Sequence, residues 1–459
     1  MDRRTTIVIF LVALAFCAAL TKSHVTSWSD QSRIATVDAL TSRGTFVITG
    51  SPYAQNLGDE ITFRGKTYSD KPPLLSLLAT AVVLAAAPFG VSVRHTPATA
   101  IYLMTLLTVG VWFAIGCAYA YAFQRRLGFE RRIAAAVAAL TGVATLALPY
   151  AIVLTNHVPC GAAGLAGCYH LVRARDGRAV HAALAGSIFA LAYAFDAAGI
   201  LLAVAGAVLL WGRPARRWLI AIAAGLPIVA LQMAYNVHVS GSVLPTAFTG
   251  SVWTTAPIPP GATEPQPFAL HSAADYAQSV LHVLVGGKGL LSYTPLVLVA
   301  AYGLVVMWRT GGVMRRLATA IAGTTVLFVV TIVTLQIQDA QAQNFGERRY
   351  VDLFFMLCVA LGPALVSVRT RLGVLAVRAC IVLSVAVAAL GTVAPFGGER
   401  GESGFSFASA AFGALSRRSP VQAALDVLLL LAVVAFVVRL VPFPRLRSGG
   451  GAAVASSTA

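Results

Sequence analysis

Charge is scarce in this sequence. Only 11% of its 459 residues are Asp, Glu, Lys or Arg, less than half the share of an ordinary soluble domain, and just four are lysines. With 58% hydrophobic residues and a mean hydropathy of +0.79, a soluble globular protein is excluded and an integral membrane protein is indicated. Acidic groups are scarcer still, 17 against 34 basic ones. The resulting net charge of +17 does not point to nucleic acid, because the arginines are spread in short clusters between apolar stretches and are not gathered in one soluble domain. The six cysteines (Cys17, Cys117, Cys160, Cys168, Cys358, Cys380) all lie in or at apolar segments without paired spacing in polar loops, which excludes a disulfide framework and a cysteine metal site. A convincing small-residue cleavage site is lacking after the first apolar run, so that run is read as an uncleaved helix. Internal repeats are absent.

What is present is a succession of apolar segments near 6–21, 74–90, 98–123, 132–150, 158–173, 179–195, 196–211, 217–236, 291–308, 316–336, 349–367, 372–394 and 420–441. Between them stand Arg3/Arg4, Arg125/Arg126/Arg131/Arg132, Arg173/Arg175/Arg178, Arg213/Arg216/Arg217, Arg309/Arg315/Arg316, Arg369/Arg371 and Arg439/Arg445/Arg447. If the segment 74–90, short and opened by two prolines, does not cross, every one of these clusters falls on the cytoplasmic side. The expectation is an all-α polytopic protein of about twelve crossings with both termini inside. Residues 1–445 form the membrane domain, and the Gly/Ala/Ser-rich end, 446–459, reads as a disordered cytoplasmic tail.

This topology sorts the polar residues. The outer parts become 22–97, a tight turn near 151–157, and the loops 237–290, 337–348 and 395–419. All four lysines (Lys22, Lys66, Lys71, Lys288) fall there, against the usual bias, together with Asp30, Asp59, Glu60, Asp70, His157, Asp339 and Glu347. The chemistry is expected on that face.

Within the first loop, Ser29 to Leu40 carries Ile34, Val37 and Leu40 at helical spacing, the pattern of a short helix lying on the membrane surface with Asp30 at the boundary. Asp30 is then either the N-cap of that helix or a reactive carboxylate, and the two roles are compatible. The same loop ends in Tyr68-Ser69-Asp70-Lys71-Pro72-Pro73-Leu74-Leu75. Fixed charge locked by two prolines at a membrane surface is costly unless a charged ligand meets it, and a lipid phosphate is a suitable one. Lys71 is alternatively a snorkelling lysine at a helix end.

These features resemble the GT-C membrane glycosyltransferases. The nearest branch is glycosyltransferase family 39 and its relatives, the protein O-mannosyltransferases and the lipid A aminoarabinose transferase. The resemblance rests on an acidic residue just after the first helix, the Asp-Lys-Pro-Pro-Leu motif at 70–74, and Arg-rich inner turns. It continues, in order, through Leu148-Pro149-Tyr150, Ala234-Tyr235-Asn236, Gly289-Leu290-Leu291-Ser292-Tyr293-Thr294-Pro295 and Gly346-Glu347-Arg348-Arg349-Tyr350. It implies a GT-C-like bundle with juxtamembrane helices in the first outer loop. It also implies transfer of a sugar, with inversion, from a polyprenyl-phosphate carrier to an acceptor hydroxyl of a glycan, lipid or protein. By the same resemblance Asp30 is the general base and Lys71 the contact to the donor phosphate. The implied location is the outer face of a bacterial plasma membrane.

The sequence departs from the family where many relatives carry two acidic residues in the first loop, since Gln31 follows Asp30. Many also have an aspartate in the second outer turn, which here reads Thr155-Asn156-His157-Val158-Pro159. His157 stands either as a ligand or hydrogen-bond donor in its place, or as a helix cap. A divalent metal on Asp70 and His157 is conceivable, both being hard or borderline ligands. Arg348 and Arg349 are guanidiniums on the outer face, suited to phosphate or to lipid head groups, with Glu347 beside them. Asp196 interrupts the apolar run 179–211, where an ionisable residue is a functional candidate or the partner of a buried arginine. Loop 237–290 is rich in proline and aromatics, suits an acceptor cover, and is closed near the membrane by Lys288. A lipid-linked sugar flippase is the rival reading. It needs a continuous polar path, and the inner halves of these helices are almost purely Ala, Val and Leu.

Overall fold

The computed structural model describes residues 3–175, 178–246, 249, 272–335, 344–396 and 419–442. The expected tail 446–459, Asp339 and most of the proline-rich part of loop 237–290 lie outside the described residues.

The chain opens with α1 (Arg3–Leu20), apolar all round and largely exposed, with Ile7, Leu11 and Val12 facing outward as lipid-facing side chains do. Next come α2 (Trp28–Arg43), a hairpin of β1 (Glu60–Phe63) and β2 (Lys66–Ser69), and α3 (Pro73–Ala86). Helices α4 (Pro97–Thr105) and α5 (Val111–Arg126) run on as one span through a widened turn at Leu106–Gly110. Then follow α6 (Arg131–Val143), α7 (Ala147–Ala151), α8 (His157–Ala174), α9 (Ala179–Phe195), α10 (Gly199–Leu210) and α11 (Ala215–Ser240). After the second loop come α12 (Ala273–Val285), α13 (Leu290–Tyr293), α14 (Leu296–Thr310), α15 (Gly312–Thr334), α16 (Val351–Leu357), α17 (Leu361–Ser367), α18 (Arg371–Val393) and α19 (Pro420–Leu440).

Among the described residues six helical stretches are long and apolar enough to cross a membrane, and a seventh results if the pair Ala273–Tyr293 and Leu296–Thr310, bent by 93°, is one span. Helices stand at the other expected segments too, but several are short. The run 179–211 breaks at Asp196 into helices of 17 and 12 residues, below the ~20 that a ~30 Å hydrocarbon core asks for. Helix α8 is buried on every side within the bundle, with Gly161 in close contact with the 351–352 backbone. A Cβ at Gly161 would fall 2.8 Å from the Val351 carbonyl oxygen, so glycine there lets the two helices approach.

The loop after α1 is more closely covered than a lone amphipathic helix and carries a hairpin the sequence reading did not include. Helix α2 is covered on both faces: it packs on α3, with Ile34 and Val37 in the same core cluster as Leu75, Ala79 and Val83, while its other face, with Ser32, Arg33 and Thr36, is buried as well. The loop that follows folds back over that second face as the β1–β2 hairpin, the only sheet among the described residues and an exception to the all-α reading. Its turn is Arg64-Gly65, with φ of 52° and 72°, the paired positive angles of a tight two-residue hairpin. Ser32 ties the two layers, donating to the Asp59 carbonyl at 2.6 Å and meeting Ser69 Oγ at 2.6 Å.

Candidate functional site

Polar side chains from five parts of the chain meet at one end of the bundle. The α2 helix supplies Arg33, the hairpin and its exit supply Asp59, Asp70 and Lys71, and the start of α8 supplies Asn156 and His157. The α9–α10 turn supplies Asp196, as the split apolar run predicts, and the segment 344–352 supplies Glu347, Arg348, Arg349 and Asp352.

Lys71 is gripped from both sides, with Nζ 2.8 Å from Asp70 Oδ2 and 2.9 Å from Asp59 Oδ2. Burial pushes both carboxyls up, and their cations pull them back. For Asp59 the pull of Lys71, Arg348 and Arg33 prevails, so its pKa lies below the usual carboxylate value. For Asp70 burial and the neighbouring Asp59 charge prevail over Lys71, and its pKa is raised. Asp70 Oδ1 is buried and without a hydrogen-bond partner. Thr246, just past α11, donates to the Asp70 carbonyl and fastens the loop that follows α11 to the motif.

Arg33, unassigned on sequence grounds, is fully buried. Its Nη1 donates to Ser29 O at 2.6 Å and to Ser29 Oγ at 2.8 Å, and its Nη2 donates to Asn156 Oδ1. Burial and the like charge of Arg348 lower its pKa to about 10, against the opposing pull of Asp70, Asp59 and Asp196. Asn156 passes the contact on by donating to Asp196 Oδ2, and Asp196 Oδ1 accepts from Ala198 N at 2.8 Å in the turn ahead of α10. His157 Nδ1 then sits 3.4 Å from Asp196 Oδ2 and 3.2 Å from Asp352 Oδ2. Ligand atoms of His157, Asp196 and Asp352 lie within 4.8 Å of one another, an imidazole and two carboxylates that suit a divalent cation. This corrects the pair expected from sequence: Asp70 stands with Lys71 and Asp59, and the acidic partners of His157 are Asp196 and Asp352.

The two arginines expected to meet phosphate differ. Arg349 Nη1 lies 3.3 Å from Glu347 Oε1, an oxygen that also accepts from Arg349 N at 3.1 Å. Arg348 is half-buried and makes no hydrogen bond or ion pair to a described residue, although its charge acts on Arg33 and Asp59. Lys288 meets this segment through its carbonyl, which accepts from Glu347 N at 3.1 Å. Two stretches that carried the resemblance meet this segment too: Tyr150 donates to Phe345 O at 3.0 Å, and the Tyr293 and Phe345 rings stand edge to face at 5.0 Å.

Asp30 is placed differently from its expectation. It is the third residue of α2, not its N-cap, and it closes a capping box with Ser27. Its Oδ2 accepts from Thr26 N at 2.7 Å and Thr26 Oγ1 at 2.8 Å, while Oδ1 accepts from Ser27 N at 2.6 Å, Ser27 Oγ at 2.8 Å and Gln31 N at 3.1 Å. Five donors occupy the lone pairs of one carboxylate. That geometry is a cap.

Two cavities flank the site. An open cleft of about 790 Å³ is lined by Thr49, Ser51, Tyr53, Gln55, Glu60 and Arg94 among others. An apolar groove of about 570 Å³ runs along α3, between Leu78, Ala85 and Phe89 on one wall and Leu107, Val111 and Trp112 on the other.

The fold as a whole is similar to that of a solved structure. ArnT from Cupriavidus metallidurans in the apo state superposes with a TM-score of 0.52 over 96% of this chain and 74% of that one, at 16% identity. The chain has the GT-C fold. ArnT from the same organism bound to undecaprenyl phosphate matches over 96% of this chain and 77% of that one, with a TM-score of 0.49 and 14% identity. No protein-family model and no curated protein matches the sequence.

Proposed function

We propose that this membrane protein is an inverting glycosyltransferase that moves a sugar from a polyprenyl-phosphate donor to an acceptor hydroxyl on the extracytoplasmic face of a bacterial plasma membrane. The observation that carries the reading is Arg348, a half-buried guanidinium without a hydrogen-bonding partner among the described residues, whose charge is felt by Asp59 of the Asp59–Lys71–Asp70 triad at the head of α3. An anionic phosphate answers that geometry. The α3 groove begins just below it and is apolar, as a polyprenyl tail requires.

In this reading the acceptor oxygen attacks the anomeric carbon and the bond from that carbon to the phosphate oxygen breaks. The electron pair leaves with the phosphate, where Arg348 and, across the site, Lys71 offset the growing charge. Asp70 takes the acceptor proton. Its Oδ1 is unpartnered, Lys71 holds its other oxygen, and its raised pKa makes it a stronger base than an ordinary aspartate. The first-loop residue Asp30, by contrast, holds the α2 N-terminus and so the placement of Arg33. Arg349 and Glu347 set the backbone that carries Arg348, and His157, Asp196 and Asp352 would hold a divalent cation that adds fixed positive charge at the site. The cleft beside Glu60, with Thr49, Ser51, Gln55 and Thr67 on its walls, suits a hydroxyl-rich acceptor.

The test is product analysis in vesicles holding the purified protein and radiolabelled polyprenyl-phosphate sugars. A transferase forms a new glycosidic bond that needs Asp70 and Arg348. Movement of intact label across the bilayer with no new bond would make the protein a flippase instead.

A further inference from the structure

At the opposite end of the bundle nine arginines (Arg173, Arg175, Arg178, Arg213, Arg216, Arg217, Arg309, Arg315, Arg316) occupy three neighbouring turns that contain a single acidic residue, Asp176. Three of them converge. Arg175 follows α8, Arg213 sits in the α10–α11 turn, and Arg316 is the fifth residue of α15. Arg316 Nη1 donates to the Trp211 carbonyl at 2.9 Å, and its Nη2 lies 4.0 Å from where a Cβ of Gly212 would stand, which brings it against the Arg213 turn. Arg175 Nη1 and Arg213 Nε are shielded from solvent and have no hydrogen-bond partner among the described residues. Burial first, then the charges of Arg213 and Arg316, lower the Arg175 pKa, so the three cations repel one another as they stand.

Depth decides what would relieve that repulsion. Trp211 is 77% exposed and Trp308 is 55% exposed, and the Arg315 guanidinium lies 5.0 Å from the Trp308 ring centroid. Exposed tryptophans beside basic turns mark the head-group level of a bilayer. Helix α8 separates this end from the Lys71 chamber by 18 residues, about 27 Å at 1.5 Å per residue, close to one hydrocarbon thickness.

We propose that Arg175, Arg213 and Arg316 form a binding site for the phosphate of an anionic membrane lipid, on the face of the membrane opposite the transfer site. Guanidinium N–H groups such as Arg175 Nη1 and Arg213 Nε, which lack acceptors among the described residues, take phosphate oxygens directly, and a basic recess between helices fits a lipid head group better than a dissolved ion. The site is independent of the glycosyltransferase reading, since none of its residues faces the Lys71 chamber.

The test compares the full-length protein in detergent with Arg175→Gln, Arg213→Gln and the nearby Arg216→Gln, an exposed position outside the trio. Phosphatidylglycerol, phosphatidylcholine and inorganic phosphate are titrated separately, and both the unfolding midpoint and the lipid adduct in native mass spectra are read. Phosphatidylglycerol is expected to raise the midpoint and be retained by wild type and Arg216→Gln, with at least tenfold weaker retention by Arg175→Gln and Arg213→Gln. Equal retention by all four proteins would overturn the site, leaving only general interfacial charge. Protection by inorganic phosphate as strong as by phosphatidylglycerol would overturn the lipid assignment. Should either glutamine variant fail to fold, Arg175→Lys and Arg213→Lys take its place: phosphatidylglycerol retention weaker than in Arg216→Lys supports the site, and retention equal to it refutes the site.

Discussion

Replacing Asp30 separates a cap from a catalyst. In Asp30→Ala, five donors lose their acceptor: the N–H groups of Thr26, Ser27 and Gln31 and the hydroxyls of Thr26 and Ser27. A bond to a charged acceptor is worth about 1.5–3 kcal/mol, but these donors do not all become orphans. Thr26 and Ser27 are partly exposed, so water reaches them, and both hydroxyls can turn to new partners. The loss is then nearer the upper end of a cap deletion, about 2 kcal/mol. Asp30→Asn keeps one acceptor oxygen and should lose about 1 kcal/mol. Turnover of Asp30→Asn should fall by less than about tenfold, whereas removal of a general base costs about 10²–10⁴-fold. Thermal unfolding in lipid nanodiscs, read beside transfer rates under donor saturation, gives both numbers. A hundredfold loss of turnover by Asp30→Asn with an unchanged unfolding midpoint would refute the cap assignment and return Asp30 to the reaction.

Lys71→Met should destabilise the protein by about 3–5 kcal/mol, because it leaves two buried carboxylates facing each other without their cation, and a denaturant titration reads this directly. The two carboxylates should act oppositely on pH dependence. The lowered pKa of Asp59 gives stability that is present above the ordinary carboxylate pKa and lost as pH falls through the lowered one, so Asp59→Asn should flatten the acid limb of a stability–pH curve. The raised pKa of Asp70 gives stability that is lost as pH rises through the raised value, so Asp70→Asn should be at least as stable as wild type at neutral pH while losing transfer. Gly161→Ala should cost about 1–3 kcal/mol, since the new Cβ meets the Val351 carbonyl at 2.8 Å, and a lower unfolding midpoint checks it. Calorimetric titration of the metal-stripped protein with Mn²⁺ or Zn²⁺ should show one site that Asp352→Asn removes. Equal binding by that variant would exclude Asp352 as a ligand.

Much of the bundle was legible because apolar runs and arginine clusters are local signals. The Asp70-Lys71-Pro72-Pro73 stretch was legible for the same reason: two prolines fix the backbone exactly where charge meets an apolar helix, as the start of α3 at Pro73 shows. The hairpin had a signal that helical reasoning passed over, the sequence Phe63-Arg64-Gly65-Lys66 between two short β-favouring runs. Arg33 was obscured because a helix with Ile34 and Val37 on one face suggests that the other face meets water, and only the folded-back loop buries it. Asp352 carried a usable signal, an ionisable residue inside the apolar run 349–367, but its partner His157 is 195 residues away and no local spacing discloses that contact. Asp30 was ambiguous for a physical reason: an acidic residue at a helix start is what both a cap and a base look like until its hydrogen bonds are seen.

The account turns on whether Arg348 receives the donor phosphate. Binding of undecaprenyl phosphate to the purified protein, measured for wild type, Arg348→Gln and Arg349→Gln, tests this most directly. The account predicts about 10–100-fold weaker binding by Arg348→Gln, the loss of one charge-assisted contact, and a smaller change for Arg349→Gln, whose guanidinium is engaged with Glu347. Wild-type affinity in Arg348→Gln would contradict it.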